Sequence, residues 1–449
     1  IYTHSLAPLT AVVWSGFWNF LGVLTSSGAV AFTVVTLLPV ELILQVGSTA
    51  GYAMIFALLI AAAIWNLGTW AMGLPNSSSH ALIGSIIGVG LANQLLAPAG
   101  SATSGVDWNQ AVNVFESLLF SPLIGFVLAA VLLLAMRFVV RNEALYRAPE
   151  GNKPPPVAIR ALLIATCTGV SFFHGSNDGQ KGMGLIMLIL IGAAPTAYAL
   201  NRATPDSATP AFVETAQRAS GIFASHAGGA PRPESAAAAR SVVGDALKVR
   251  EVNRPEVYAA LAVLTQDIGR QVQGYGAVRL VPAAATPNVR NDMYLASDAV
   301  RVMGAHPAGF GDEEVAALKS MRGLLDEGTR FIPTWVKVTV ALALGLGTMV
   351  GWKRIVVTVG ERIGKTHLTY AQGASAEIVA MGTIGLADAY GLPVSTTHVL
   401  SSGVAGTMVA NGSGLQWATV RNLAMAWVLT LPAAMAIAGG LYVLLRQVF

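Results

Sequence analysis

Six apolar windows, at residues 9–35, 51–72, 112–139, 333–351, 368–390 and 417–448, are each long enough to cross roughly 30 Å of hydrocarbon as a helix. A chain built this way cannot close around one water-facing core. Backbone N–H and C=O groups inside hydrocarbon must be satisfied within their own segment, so the expected class is an all-α polytopic membrane protein. Two further regions, residues 79–96 and 158–200, are apolar but interrupted by polar or glycine-rich sequence. Interruptions at membrane depth are tolerated only where the backbone faces protein or a wet cavity, so broken or re-entrant helices are expected there.

Composition agrees with that class. The chain is 54% hydrophobic and 11% charged, which excludes an ordinary soluble enzyme. Its net charge of +4 is no nucleic-acid footprint: residues 201–330 hold 14 of the 27 basic and 14 of the 23 acidic side chains and are neutral. The excess lies in loops that flank the membrane, so the lipid bilayer is the expected partner and nucleic acid is not. Cys167 stands alone in an apolar run, so it forms no intramolecular disulfide and reads as core filler.

The chain divides into a first membrane repeat at 1–140, a basic loop at 141–157, the start of a second repeat at 158–200, a soluble, partly helical insertion at 201–330 and the rest of the second repeat at 331–449. Arg137, Arg141, Arg147, Lys153 and Arg160 in one loop, and Lys353, Arg354, Arg362 and Lys365 in another, place both in the cytoplasm. The 37–46 loop carries no basic residue and is expected outside. The insertion lies outside if 158–200 crosses once and inside if that region is a hairpin; the loop charges favour the first, the region's length the second. The insertion has no catalytic or metal-spacing signature and reads as an accessory element.

Gly-Leu-Pro-Asn-Ser-Ser-Ser-His at Gly73 to His80 returns as Gly-Leu-Pro-Val-Ser-Thr-Thr-His at Gly391 to His398, and nine of 21 positions from Gly73 and Gly391 onward are identical. Paired interruptions in repeated apolar units point to a transporter with its site at the repeat interface. Pro75 and Pro393 are expected to end the incoming helix, and the hydroxyl residues behind them to cap the next one. Helix N-termini offer free N–H groups and partial positive charge, and Ser77, Ser78, Ser79, Ser395, Thr396 and Thr397 add neutral donors, so the pattern predicts an anion site without fixed positive charge. His80 and His398 read as hydrogen-bonded structural residues.

The interruption Phe173-His-Gly-Ser-Asn-Asp-Gly-Gln-Lys-Gly182 sets Asp178 and Lys181 between long apolar runs, and intramembrane ionisable groups are functional candidates by default. Glycines 175, 179, 182 and 184 permit unwound backbone there. The competing account is a structural Asp178–Lys181 pair at i, i+3. Glu377 is a second carboxylate in an apolar helix, and Leu59 stands at its equivalent place in the first half. The spacing between Asp178 and Ser395, less the insertion, puts an equivalent first acid about ten residues before Ile1. The chain opens on Ile1 without a signal-peptide pattern, and an upstream segment carrying that Asn-Asp element is expected.

His174-Gly-Ser-Asn-Asp-Gly-Gln-Lys181, Leu392-Pro-Val-Ser-Thr-Thr-His398 and Leu74-Pro-Asn-Ser-Ser-Ser-His80 together resemble the inorganic phosphate transporter (PiT) family, and Trp65-Asn-Leu-Gly-Thr-Trp70 resembles its bacterial low-affinity members. The resemblance covers nearly all the membrane portion; the insertion matches only in position and character. It implies an inverted-repeat secondary transporter, phosphate binding by Asn177, Asp178 and the Ser77–Ser79 and Ser395–Thr397 clusters, and a transport role for Glu377. It further implies a homodimer in the bacterial inner membrane, no bound cofactor, and coupling to protons with a divalent metal phosphate as a carried species; the sequence leaves sodium open and assigns no metal ligands.

The expected mechanism seats phosphate between the two capped helices, with Asn177 donating its amide N–H and Asp178 accepting a substrate proton or binding the coupling cation. Phosphate keeps a hydroxyl donor near neutral pH and sulfate does not, so a carboxylate at the site favours phosphate. The alternatives are a transporter of another oxyanion such as sulfate, or an anion channel; an enzyme is disfavoured because no nucleophile and base stand together.

Overall fold

The computed structural model describes every residue except 39, 99–104, 152, 305–306 and 308. Its elements are helices almost throughout. The first half holds α1 (Pro8–Thr25), α2 (Ala29–Val35), α3 (Val40–Leu44), α4 (Thr49–Ala71), α5 (Ser78–Leu95) and α6 (Trp108–Val139). The second opens with α7 (Val157–Ala193) and the short α8 (Pro195–Tyr198). The insertion follows as α9 (Thr209–His226), α10 (Ala236–Val249), α11 (Pro255–Tyr275), α12 (Thr286–Met303) and α13 (Asp312–Thr329). Then α14 (Thr334–Gly347), α15 (Trp352–Glu361), α16 (Tyr370–Ala389), α17 (Thr396–Ala410) and α18 (Trp417–Leu445) return to the apolar part.

Helices α4, α6, α7 and α18 are long and apolar enough to span a membrane, and α1–α2 and α13–α14 are pairs bent by 74° and 72°. The first bend corrects the single span expected at 9–35. Ser26 and Ser27 interrupt the helix, Gly28 takes φ +90°, a conformation that suits glycine, and the Ser26 hydroxyl donates to Val23 O at 2.8 Å. The second bend falls at Pro333, whose ring cannot continue a helix coming from α13.

A larger correction concerns residues 158–200. The Gly-rich motif is not unwound; α7 runs unbroken through it for 37 residues, so the region is one continuous helix and not a hairpin. Its glycines serve close packing instead. A Cβ on Gly175 would stand 2.2 Å from Asn19 O, and one on Gly22 of α1 would stand 2.0 Å from Phe172 O, so α1 and α7 touch backbone to backbone. The polar residues of the motif stay helical because partners on neighbouring helices satisfy them.

One continuous α7 carries the chain from one end of the bundle to the other. At the first end the basic loop meets the start of α16, where Tyr370 N donates to Arg147 O at 3.4 Å. At the far end the insertion packs on the 37–46 segment, with Arg290 donating to Ile43 O at 3.1 Å. Burial pushes the Arg290 guanidinium down to about 10, so it stays charged near neutral pH and keeps that bond. The insertion is more helical than its sequence suggests, and the buried Asp292 binds Arg240 in a two-pronged pair at 2.5 and 2.9 Å.

The α1–α7 contact gives a direct test. Gly22→Ala and Gly175→Ala each force a methyl into backbone and are expected to destabilise by about 1–3 kcal/mol or more. Gly382→Ala, with open space around its Cβ, is expected to be neutral. Thermal unfolding of the three purified variants checks this: equal midpoints would contradict the packing described.

Candidate anion site where two half-helices meet

The repeated octapeptide forms the same local structure twice. Helix α4 ends at Ala71 and α16 at Ala389, and each chain turns through a glycine, Gly73 at φ +68° and Gly391 at φ +65°. Leu74 N bonds Thr69 O at 3.0 Å and Leu392 N bonds Ala387 O at 2.8 Å, matching helix-ending turns. The glycines therefore end the helices two residues before Pro75 and Pro393, which keep them from resuming. Ser77 then caps α5 by accepting from His80 N at 3.1 Å, and Ser395 caps α17 by accepting from His398 N at 3.3 Å.

Both half-helices begin inside the bundle. Along α5, Gly84 lies against Leu431 and Gly88 against Met435, so α5 runs beside α18 and starts well inside it. Along α17, Gly406 lies against Phe126, and Asn411 meets Arg137, so α17 runs beside α6 from near its midpoint. Because α18 sets out from the end at which α6 finishes, α5 and α17 point in opposite directions. Each packs on the long helix of the other half, and their first turns meet with the His80 and His398 rings 4.6 Å apart.

Helix α7 delivers its polar face to this junction. Asp178 accepts from Lys181 Nζ at 2.5 Å, lies 3.2 Å from His174 Nε2 and accepts from Thr396 Oγ1 at 3.3 Å. Lys181, 4% exposed, also donates to Ser79 Oγ at 2.5 Å and to Val394 O at 3.0 Å. The Ser79 hydroxyl in turn donates to Val394 O at 2.9 Å. Asn177 donates to Leu392 O at 3.1 Å, while its fully buried Oδ1 has no hydrogen-bond partner among the described residues.

Several expectations change here. The i, i+3 Asp178–Lys181 pair forms, but it also reaches both half-helices, so it joins the junction rather than replacing it. The site is not free of fixed positive charge, because the Lys181 ammonium sits among its hydroxyls. Ser79, Asn177, Asp178 and Thr396 come together; Ser77 and Ser395 act as caps behind them. Ser78 is exposed and Thr397 half-buried, and among the described residues neither bonds this cluster. Glu377 lies elsewhere, bonded by Thr166, which stands on α7 about 18 Å of helix from Asp178.

Sequence reasoning passed over Asp388. It accepts from Ser176 Oγ at 2.7 Å and from Gln180 Nε2 at 2.6 Å, and Gln180 Oε1 in turn accepts from Val30 N at 2.9 Å. An acid near the end of an apolar helix is the same signal that marked Glu377, and it could have been found that way. His174, four residues before Asp178, is held by Asn19 Oδ1 at 2.6 Å.

Comparisons with known proteins point one way. Residues 1–438 match the Phosphate transporter family. The chain is 40% identical to the low-affinity inorganic phosphate transporter PitB of Escherichia coli K12, covering 98% of this chain and 90% of that protein. It is also 40% identical to PitA of the same strain, covering 100% of this chain and 91% of that protein. Among solved structures, the fold resembles a sodium-dependent phosphate transporter with a TM-score of 0.52 at 18% identity, covering 100% of this chain and 92% of that one. The chain is a member of the Phosphate transporter family.

Proposed function

We propose that this chain carries inorganic phosphate across a membrane by cation-coupled symport, with the proton as coupling cation and a divalent metal phosphate as an accepted form of the cargo. The observation that supports this best is the junction itself: two opposed, serine-capped helix starts with an ammonium, an amide and a carboxylate between them. Its donors are engaged with Val394 O, Leu392 O and Asp178. An entering phosphate replaces those acceptors for Lys181, Ser79, Thr396 and the Asn177 amide. Charge-assisted bonds of this kind are stronger than neutral ones, and low-dielectric surroundings strengthen them further.

Selectivity follows from what is left over. Asn177 Oδ1 is a buried acceptor lacking a donor among the described residues, and Asp178 is a carboxylate that needs one once Lys181 turns to the substrate. Hydrogen phosphate brings an O–H and sulfate does not, and an unpaired buried acceptor costs about 1–3 kcal/mol. Asp178 is the proposed proton acceptor and Glu377 of α16, bonded by Thr166 of α7, a second proton station. Alternating access is proposed as relative movement of the two halves about the His80–His398 contact. A neutral metal phosphate costs less to desolvate than the bare dianion, which favours it as cargo.

The relatives' names support phosphate as substrate: PitA and PitB are low-affinity inorganic phosphate transporters. Positive-inside charge supports a cytoplasmic 141–157 loop, and with the unbroken α7 read as one crossing it supports the outer face of the inner membrane for the insertion.

Three outcomes are expected. Asp178→Asn abolishes accumulation of labelled phosphate in proteoliposomes with an imposed pH gradient while the protein still folds; undiminished accumulation would remove Asp178 from the mechanism. Thr396→Ala raises the apparent KM roughly tenfold or more, as loss of a bond to a charged group does; an unchanged KM would assign that hydroxyl to packing alone. For topology, Glu313→Cys on a Cys167→Ala background is expected to react with an impermeant maleimide on intact cells. Reaction only after permeabilisation would place the insertion inside.

A further inference from the structure

A cavity of about 750 Å³ lies between the insertion and the membrane helices. From the insertion side it is lined by four arginines: Arg250 after α10, Arg301 in α12, Arg322 in α13 and Arg330 just after α13. Its opposite wall is the first turn of α2 with Gln110 and Asn113 of α6. Four guanidiniums around one cavity are costly to gather unless something uses them, because like charges repel and each needs its donors satisfied.

The available carboxylates do not use them up. Asp107 is shared by Arg250 at 2.6 Å and Arg301 at 3.1 Å, and Asp298 pairs with Arg301 at 2.8 Å. Both are almost fully buried behind the arginines and do not line the cavity. Asp326 does line it, and is shared by Arg322 at 3.6 Å, Arg330 at 3.1 Å and the Ser297 hydroxyl at 2.5 Å. Glu327 also lines the cavity and is exposed. Among the lining residues four cations thus face two anions; Arg322 Nε stands 3.6 Å from Asp326, beyond hydrogen-bond distance, and among the described residues neither it nor Arg330 Nη2, both buried, has a hydrogen-bond partner.

The cavity also has a floor that matters. Ala29 of α2 forms part of it and packs against Gly391, where a Cβ would stand 3.1 Å away. The next residue, Val30, bonds Gln180, one turn of α7 from the Asn177–Asp178 pair. A second cavity shares Thr33, Gln110 and Asn113 with the first and reaches Leu392 and Val394, whose carbonyls Asn177 and Lys181 hold.

We propose that the insertion builds an anion-capture vestibule: Arg250, Arg301, Arg322 and Arg330 hold the soluble oxyanion substrate in a cationic antechamber above the Asp178 junction and pass it past α2. This rests on the phosphate reading above and extends it to a loading site on one face only. Clefts lined by one sign of charge concentrate counter-ions and raise capture rates, an effect that weakens as salt shortens the screening length. Arginine suits the task because its planar fork matches an oxyanion's oxygens.

The test compares the full chain with R322Q/R330Q and R322K/R330K in right-side-out and inverted membrane vesicles, reading initial rates of labelled phosphate uptake. With the Gln pair, the apparent KM from the insertion's face is expected to rise by about three- to tenfold at low ionic strength, with the saturated rate retained. The rise should vanish at high salt, be largely restored by the Lys pair, and be absent from the opposite face. An unchanged KM, a loss confined to the saturated rate, or an equal KM change on both faces overturns the vestibule while phosphate transport stands. Should the Gln pair fail to fold, the unmodified chain decides: its KM must rise with salt on the insertion's face more than on the other, and equal salt dependence overturns the proposal. The KM rise should persist in phosphatidylcholine proteoliposomes; one that requires added phosphatidylglycerol would assign the arginines to a lipid headgroup and also overturn it. Absence of phosphate uptake by the unmodified chain removes the substrate reading itself, and the vestibule's ligand with it.

Discussion

The rest of the membrane portion depends on one buried charge, the Lys181 ammonium. It bridges Asp178 on its own helix, Ser79 at the start of α5 and Val394 before α17, so a single side chain ties both halves together inside the bundle. An isolated ammonium in hydrocarbon is costly, and breaking such a pair typically costs about 3–5 kcal/mol because its partner is left uncompensated. The two half-helices must therefore meet where Lys181 is. The glycines of α7 allow this by letting α1 approach until backbone touches backbone, which leaves the polar face of α7 free to turn toward the junction.

The same arrangement explains the exchanged packing. Helix α5 lies on α18 and α17 on α6, so neither half can form its part of the site alone. A half-helix that begins inside the bundle leaves its first N–H groups unpaired in a low-dielectric setting. Ser77 and Ser395 satisfy some, and a bound anion can satisfy others. The polar insertion at one end and the basic loop at the other then give the bundle two chemically distinct faces. A carrier that loads on one side and releases on the other can make use of that difference.

Much of this was legible in the sequence because it follows from local rules. Hydroxyls behind a proline cap helices wherever they occur, and the octapeptide did so twice, with cap bonds to His80 and His398 that match in kind. The ionisable pair in α7 stood out because charges in apolar runs are rare. What sequence could not supply was contact between distant segments. The glycines around Asn177 suggested unwinding, yet they pack against α1, a fact that depends on Asn19 lying more than 150 residues away in the chain. Lys181 read as a local partner for Asp178, and only the fold reveals that its reach extends to Ser79 and Val394. Asp388 was a different kind of miss, since the rule that singled out Glu377 applied to it equally.

The most direct test of the central claim is a structure of the full-length protein determined with phosphate bound. The expected result is density for one phosphate at the junction, within hydrogen-bond distance of Lys181, Ser79 and Thr396, with Val394 O released from the ammonium. Phosphate bound elsewhere, with the Lys181 bridge to Ser79 and Val394 intact, would contradict the account.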